Sequence, residues 1–265
     1  MSRGLVTVGI WLALVSGAGV GVRSAQTPLP RPAATYAGRD DAARAGCRAA
    51  TIKGPAIAAC VTTSFHDNQM DLVVYARSTS GVYAASDVMA ITSWYWGARL
   101  SLVDALGAGT QWLVVETEGM RGTGVSQRVL LVIAWDGSGF RTVAAETLGY
   151  RCSRPTSGAD YRLDVRQAFE LTEGAPHIRF DYELSRDGQR VGAWTGGLRW
   201  NAGAFAFEAA PETVTTGSPV VDAVRARIAG VREYALKRPL DPRADSQAWI
   251  GESGLTGVLA AACAP

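Results

Sequence analysis

The chain has 265 residues, 48% of them hydrophobic, with 26 Lys and Arg against 24 Asp and Glu and two histidines. That length can bury a sizeable core in one large domain or two smaller ones. A balance this close to neutral provides no global field for gathering nucleic acid or an anionic membrane, so neither is expected as a partner.

Residues 1–24 open with Met1-Ser2-Arg3, continue as an apolar run from Leu5 to Val22 and leave through Ser24. A basic start, an apolar middle and a small-residue exit spell a secretory signal peptide cut after Ser24. The competing reading is an uncleaved membrane anchor. The run is close to the roughly 20 apolar residues that a spanning helix needs, but glycines and Ser16 weaken it. Loss of Arg3 and Arg23 leaves 24 basic residues against 24 acidic ones, so the exported chain is formally neutral. Positive charge comes almost wholly from Arg, with Lys only at Lys53 and Lys237, a composition that suggests a GC-rich bacterial genome. The expected location is therefore secreted or periplasmic, without stable membrane insertion once the signal is removed.

Four cysteines, an even number in an exported chain, predict two disulfides with three pairings open. Cys47–Cys60 would close a short local loop, and Cys152–Cys263 would tie the C-terminus to the body; these are the favoured pairs. With no CxxC and two histidines, a zinc site is not expected. No cofactor is implied either.

In chain order, residues 25–37 form a Pro-rich exposed leader, and residues 38–265 read as a single mainly-β domain. The Ala/Arg/Asp content of 38–50 predicts a short helix. Strands are then predicted over Ala56–Phe65, Met70–Ala76, Val82–Ala85, Val88–Trp96 and Leu100–Leu106. Next comes the stretch Trp112–Phe140: strand, Gly-rich turn, strand, and a tight turn at Asp136-Gly137-Ser138-Gly139 closed by Phe140. Turn chemistry every 8–12 residues, with no helical period between residues 56 and 210, marks an antiparallel hairpin or meander architecture. Propeller-like, sandwich and barrel arrangements all remain open.

A shift of 65 residues aligns Trp112–Phe140 with His177–Phe205, placing Glu118 on Glu183, Trp135 on Trp200 and Phe140 on Phe205. An internal duplication of 110–140 as 175–205 is therefore a candidate, carried mainly by a shared W-[DN]-x-x-x-F turn. Its aromatics are expected to pack across the hairpin while Asp or Asn starts the turn. The one clear amphipathic helix is predicted over 219–236, with Ser218 as N-cap and Pro219 in the first turn. Its apolar stripe reads Val220, Val224, Ile228, Val231 and Ala235, with Asp222, Arg225, Arg227, Arg232 and Glu233 mainly on other faces.

Chemistry-bearing residues are sparse. Glu116 and Glu118, two apart on a strand, would share a face at about 6–7 Å, a separation that suits an inverting glycosidase. Their counterparts Asp181 and Glu183 in the aligned copy favour a structural role instead. His66 in a turn and His177 at a strand start could serve a nucleophilic triad with Ser126 or Ser138, but no G-x-S-x-G or SxxK pattern accompanies them. The loop EGMRGTG lacks the following helix and lysine of a phosphate loop. Trp94 and Trp96, alternating with Tyr95, could stack a flat ligand, with Trp112 beside them; a core layer is the competing reading.

Leu102–Val115 (LVDALGAGTQWLVV), followed by Trp135–Phe140, resembles an FG-GAP or VCBS-type β-repeat segment. In that family a D-x-[DN]-x-D-G calcium loop precedes a strand, and a WDG-x-x-F turn follows the next. The resemblance spans about 40 residues and implies a β-repeat fold of propeller-like outline, with an extracellular binding or scaffolding role. Leu106, Ala108 and Gly109 stand where ligand or turn residues are expected, and Asp104 alone cannot hold calcium, which takes six to eight oxygens. Calcium is not expected. The sequence thus points to an exported, noncatalytic β domain that binds a small molecule, glycan or protein. A secreted hydrolase and a structural cell-envelope component are the alternatives.

Overall fold

Every residue of Val129–Ala134 (VLLVIA) is buried, as is every residue of Val143–Tyr150, whereas residues 161–165 and 176–184 bury every second one. A strand covered on both faces reads as a continuous apolar run, and one with a wet face alternates. That contrast divides the molecule.

The computed structural model describes residues 47–50, 57–63, 69–77, 82–92, 98–104, 111–122, 125–136, 139–153, 159–209 and 217–237. In order these form β1 (Cys47–Ala50), β2 (Ile57–Thr63), β3 (Gln69–Arg77), β4 (Tyr83–Thr92), β5 (Ala98–Val103) and β6 (Trp112–Gly122). They continue with β7 (Val125–Trp135), β8 (Phe140–Ser153), β9 (Asp160–Thr172), β10 (Ala175–Arg186), β11 (Gln189–Asn201), β12 (Ala206–Ala209) and α1 (Pro219–Lys237). Pairing is antiparallel and follows chain order, giving a four-stranded meander β1–β4 and an open eight-stranded meander β5–β12. The mainly-β, antiparallel fold and its late helix agree with the sequence reading. The signal peptide, the leader, His66, Trp94, Trp96 and Cys263 lie outside the described residues.

Two cores lie on opposite faces of β6 and β7. On one, Ile57, Ala59 and Val74 of the small sheet pack against Leu113, Val115, Val129, Leu131 and Ile133. On the other, Val114, Leu130 and Val132 join Leu163, Phe180, Tyr182 and Phe207 and the helix residues Val221, Val224 and Ile228. The second core exists because the large sheet curls. Five strand spacings separate β6 from β11, roughly 24 Å in a flat sheet. Yet Trp112 of β6 lies 5.1 Å, ring to ring, from Trp200 of β11, and 4.8 Å from Phe207 of β12.

Local chemistry explains the connections. The β9–β10 and β10–β11 loops are two-residue turns with positive φ at Glu173-Gly174 and Asp187-Gly188, the backbone that matches the twist of paired strands. The W-[DN]-x-x-x-F turns share one geometry. Trp135 meets Phe140 edge-on at 4.9 Å and Trp200 meets Phe205 at 5.1 Å. Asp136 accepts the Gly139 amide at 3.0 Å, and Asn201 accepts those of Gly203 and Ala204 at 2.9 and 3.1 Å.

Three expectations are corrected. Residues 47–50 are strand, not helix: pairing with β2 overrides a weak local preference. The predicted strands Val82–Ala85 and Val88–Trp96 meet in one strand, β4, described as far as Thr92, with a register slip at Ser86: Val74 opposes Asp87 and Tyr75 opposes Ala85. The buried face of α1 is Val221, Val224, Ile228 and Arg232, while Val220 is exposed. Gly192 of β11 admits that face, since a Cβ there would stand 2.5 Å from Val221 Cγ2.

Two measurements follow. Trp112→Ala should lower stability by about 3–5 kcal/mol in denaturant unfolding, the cost of emptying a large aromatic site; a loss under 1 kcal/mol would contradict its core placement. Cys47 and Cys60 are directly opposed Cα partners across β1 and β2, a separation that a disulfide can bridge. Non-reducing peptide mapping is expected to recover Cys47 joined to Cys60, and recovery of Cys47 with Cys152 would refute that pairing.

Candidate functional site

Strands β8 and β9 pair only between Gly149↔Asp164 and Ser153↔Asp160. Before Gly149, β8 keeps β7 alone; from Val165 onward, β9 keeps β10 alone. Register shifts in the β7–β8 ladder at Arg128/Val129 and Val132/Ile133 bend β8 away. Backbone polar groups inside a fold need partners, and beside this parting two of them are met by side chains. Arg128 Nη2 donates to the Leu148 carbonyl at 3.3 Å, and the Thr147 amide donates to Glu146 Oε1 at 2.9 Å.

Glu146 is 0% exposed and is met from α1 by Arg232, itself 5% exposed. Arg232 Nε donates to Glu146 Oε2 at 2.5 Å, and its Nη2 donates to the Tyr182 hydroxyl at 2.6 Å. The Tyr182 ring stacks on Trp194 at 5.0 Å and 7°. Burial pushes the Glu146 carboxyl up from its ordinary value, while Arg232, the Thr147 amide and the Tyr182 hydroxyl pull the other way. With both ions sealed from solvent, the cluster has no surface for a substrate. It fixes how α1 sits.

The accessible site is on the other side of β8–β11. One row of directly opposed residues runs Arg128, Gly149, Asp164, Glu183, Ala193 from β7 to β11. A neighbouring row runs Arg166, Asp181, Thr195. Ala193 contributes only a methyl, so the long side chains around it border a hollow. It measures about 670 Å³ and is lined by residues that include Arg128, Arg162, Arg166, Arg190, Asp164, Asp181, Glu183 and Thr195. A second hollow of about 440 Å³ shares Arg128, Arg162 and Asp164 and adds Ser126, Gly149 and Arg151, so the two form one groove. Arg128 lies across Gly149: a Cβ there would stand 3.2 Å from its Nε.

Charges in the groove are partly cancelled. Arg162 meets Asp164 at 2.6 Å, and Arg151 meets Asp160 at 3.1 Å. Asp181 lies 3.7 Å from Arg179 and accepts the Thr195 hydroxyl at 3.1 Å. Among the described residues, Arg128, Arg166 and Arg190 have no carboxylate partner.

Of the residues singled out in the sequence, Ser126 lines the groove, Trp94, Trp96, His66 and Ser138 lie outside the described residues, and Trp112, Glu116 and His177 fall elsewhere. Trp112 is 2% exposed against Trp200 and Phe207, which makes it core and not a ligand platform. Glu116 is held by Gln167 Nε2 at 3.2 Å and by Arg99 at 3.8 Å; the backbone of Glu118 lies two residues along β6. His177 lies over Gly197, where a Cβ would be 2.3 Å from Nε2, away from Ser126 in the groove. Cys152 is on β8, but its expected partner lies outside the described residues. The groove arginines were missed, although the alternation Tyr161-Arg162-Leu163-Asp164-Val165-Arg166 signals a strand with one charged face. A lone acid in the apolar run Val143–Leu148 was the signal for Glu146.

In comparisons with known proteins, no family model, curated protein or solved structure matches the chain.

Removing one member of the buried pair strands the other. Arg232→Met should therefore cost about 3–5 kcal/mol in urea unfolding, whereas Glu146→Leu with Arg232→Met should recover most of that loss. A single variant as stable as the parent would show that the pair does not hold α1.

Proposed function

We propose that this chain is an exported, noncatalytic binding domain of the periplasm or extracellular space, and that its ligand occupies the groove over β7–β11. The N-terminal signal-like segment supports export. The observation that carries the binding reading is the groove itself. Its larger hollow, about 670 Å³, is within the size range of small-molecule sites, and it is bordered by guanidinium groups with unspent hydrogen-bond donors. The one carboxylate proposed for catalysis that can be placed, Glu116, is engaged by Gln167 and Arg99.

Gly149 gives this reading a steric test. An added methyl must displace Arg128 or crowd the Leu163 carbonyl, 3.4 Å from the same point. A thermal-shift screen of the mature protein against small molecules, glycans and peptides should find a ligand that raises Tm. A ligand at 100 times its Kd stabilises by about 2.7 kcal/mol, and the same ligand should shift Gly149→Ala far less. A ligand whose shift is unchanged in Gly149→Ala and in Arg166→Gln binds elsewhere and overturns the proposal.

A further inference from the structure

Granting that the groove is a binding site, the geometry points to its ligand class: we infer an acidic glycan chain, carrying carboxylate or sulfate groups among its hydroxyls. The argument begins with what remains after internal pairing. Arg162 with Asp164, and Arg179 with Asp181, offset one another in charge, and Asp181 also accepts from Thr195. Arg128, Arg166 and Arg190 are then left facing one unpaired acid, Glu183, among the described residues. The groove therefore has a local excess of positive charge in a chain that is otherwise near neutral.

Guanidinium forks suit planar carboxylates and sulfates, because two parallel N–H donors meet two oxygens. Arg128 uses one of its Nη2 donors on the Leu148 carbonyl, and a guanidinium has five N–H donors in all. Flattened over Gly149, it can present the others outward. The acids in the same groove matter equally: ionised carboxylates only accept, so Glu183 and the free acceptor capacity of Asp164 and Asp181 call for ligand hydroxyls.

Extent separates a chain from a single small anion. The two hollows together touch β7 through β11, four strand spacings, a contour of roughly 19 Å along the curled sheet. That is too long for one phosphate or sulfate and suits several sugar units. Oxyanions spaced by hydroxyl-bearing rings match arginines spaced by acids.

The test is calorimetric titration of the mature protein with oligogalacturonate (carboxylate arm), dextran sulfate (sulfate arm), neutral dextran, inorganic phosphate and an acidic peptide. We expect the carboxylate arm, the sulfate arm or both to bind, to weaken with added salt, and to lose about tenfold affinity for each of Arg166→Gln and Arg190→Gln, the size of a lost charge-assisted hydrogen bond. Which arm binds identifies the anion. Both side chains are exposed, so these variants should keep the parent Tm, and circular dichroism checks that they do. Tighter binding of neutral dextran, inorganic phosphate or the acidic peptide than of either acidic glycan, weakened by Gly149→Ala, would sink the glycan class while leaving the groove as a site. If no probe responds to Gly149→Ala or to the arginine variants, both readings fall.

Discussion

Where β8 leaves β9, the sheet has to be completed by side chains. This one departure organises most of what is distinctive in the molecule. On the side covered by the helix, Glu146 takes the Thr147 amide and is itself held by Arg232. Through Tyr182, that guanidinium also ties β10 to β8. On the outer side, Arg128 takes the Leu148 carbonyl and lies across Gly149. A buried ion pair is a poor source of net stability, because desolvation offsets its attraction. Its contribution here is register: an apolar stripe alone could sit on the curl in several rotations, and Arg232 meets Glu146 in only one.

The same departure links the helix to the groove. Tyr182 accepts from Arg232, and its neighbours on β10, Asp181 and Glu183, point to the opposite face. A shift of α1 would therefore be felt by the strand that forms the groove floor. The curl has a second brace in the aromatic cluster of Trp112, Trp200 and Phe207, with Phe205 beneath the Arg141 guanidinium at 5.4 Å. Trp112 and the aromatics of the W-[DN]-x-x-x-F turns are thus used for shape.

Strands and turns were legible because their causes are local. Alternation in β9 and β10, the unbroken apolar run of β7 and the paired W-[DN]-x-x-x-F turns all follow from neighbours in sequence. On α1 the stripe residues Val224 and Ile228 are buried as expected, but Val220 is exposed and Val221 and Arg232 are buried, since the partner that makes a buried arginine tolerable lies 86 residues away. The groove was not legible for a similar reason. Gly149 and Ala193 are unremarkable in sequence, and become the floor of a hollow only when β7–β11 align them in one row. Likewise, helix content assigned to residues 47–50 yielded to the pairing offered by β2.

If the outer groove receives the ligand, as proposed, backbone amide chemical-shift mapping of the isotope-labelled protein during titration with an acidic oligosaccharide will locate it there. Perturbations are expected along the row from Arg128 through Gly149, Asp164 and Glu183 to Ala193, extending to Arg166 and Thr195. Shifts confined to β1–β5, or saturable binding that leaves this row unmoved, would contradict it.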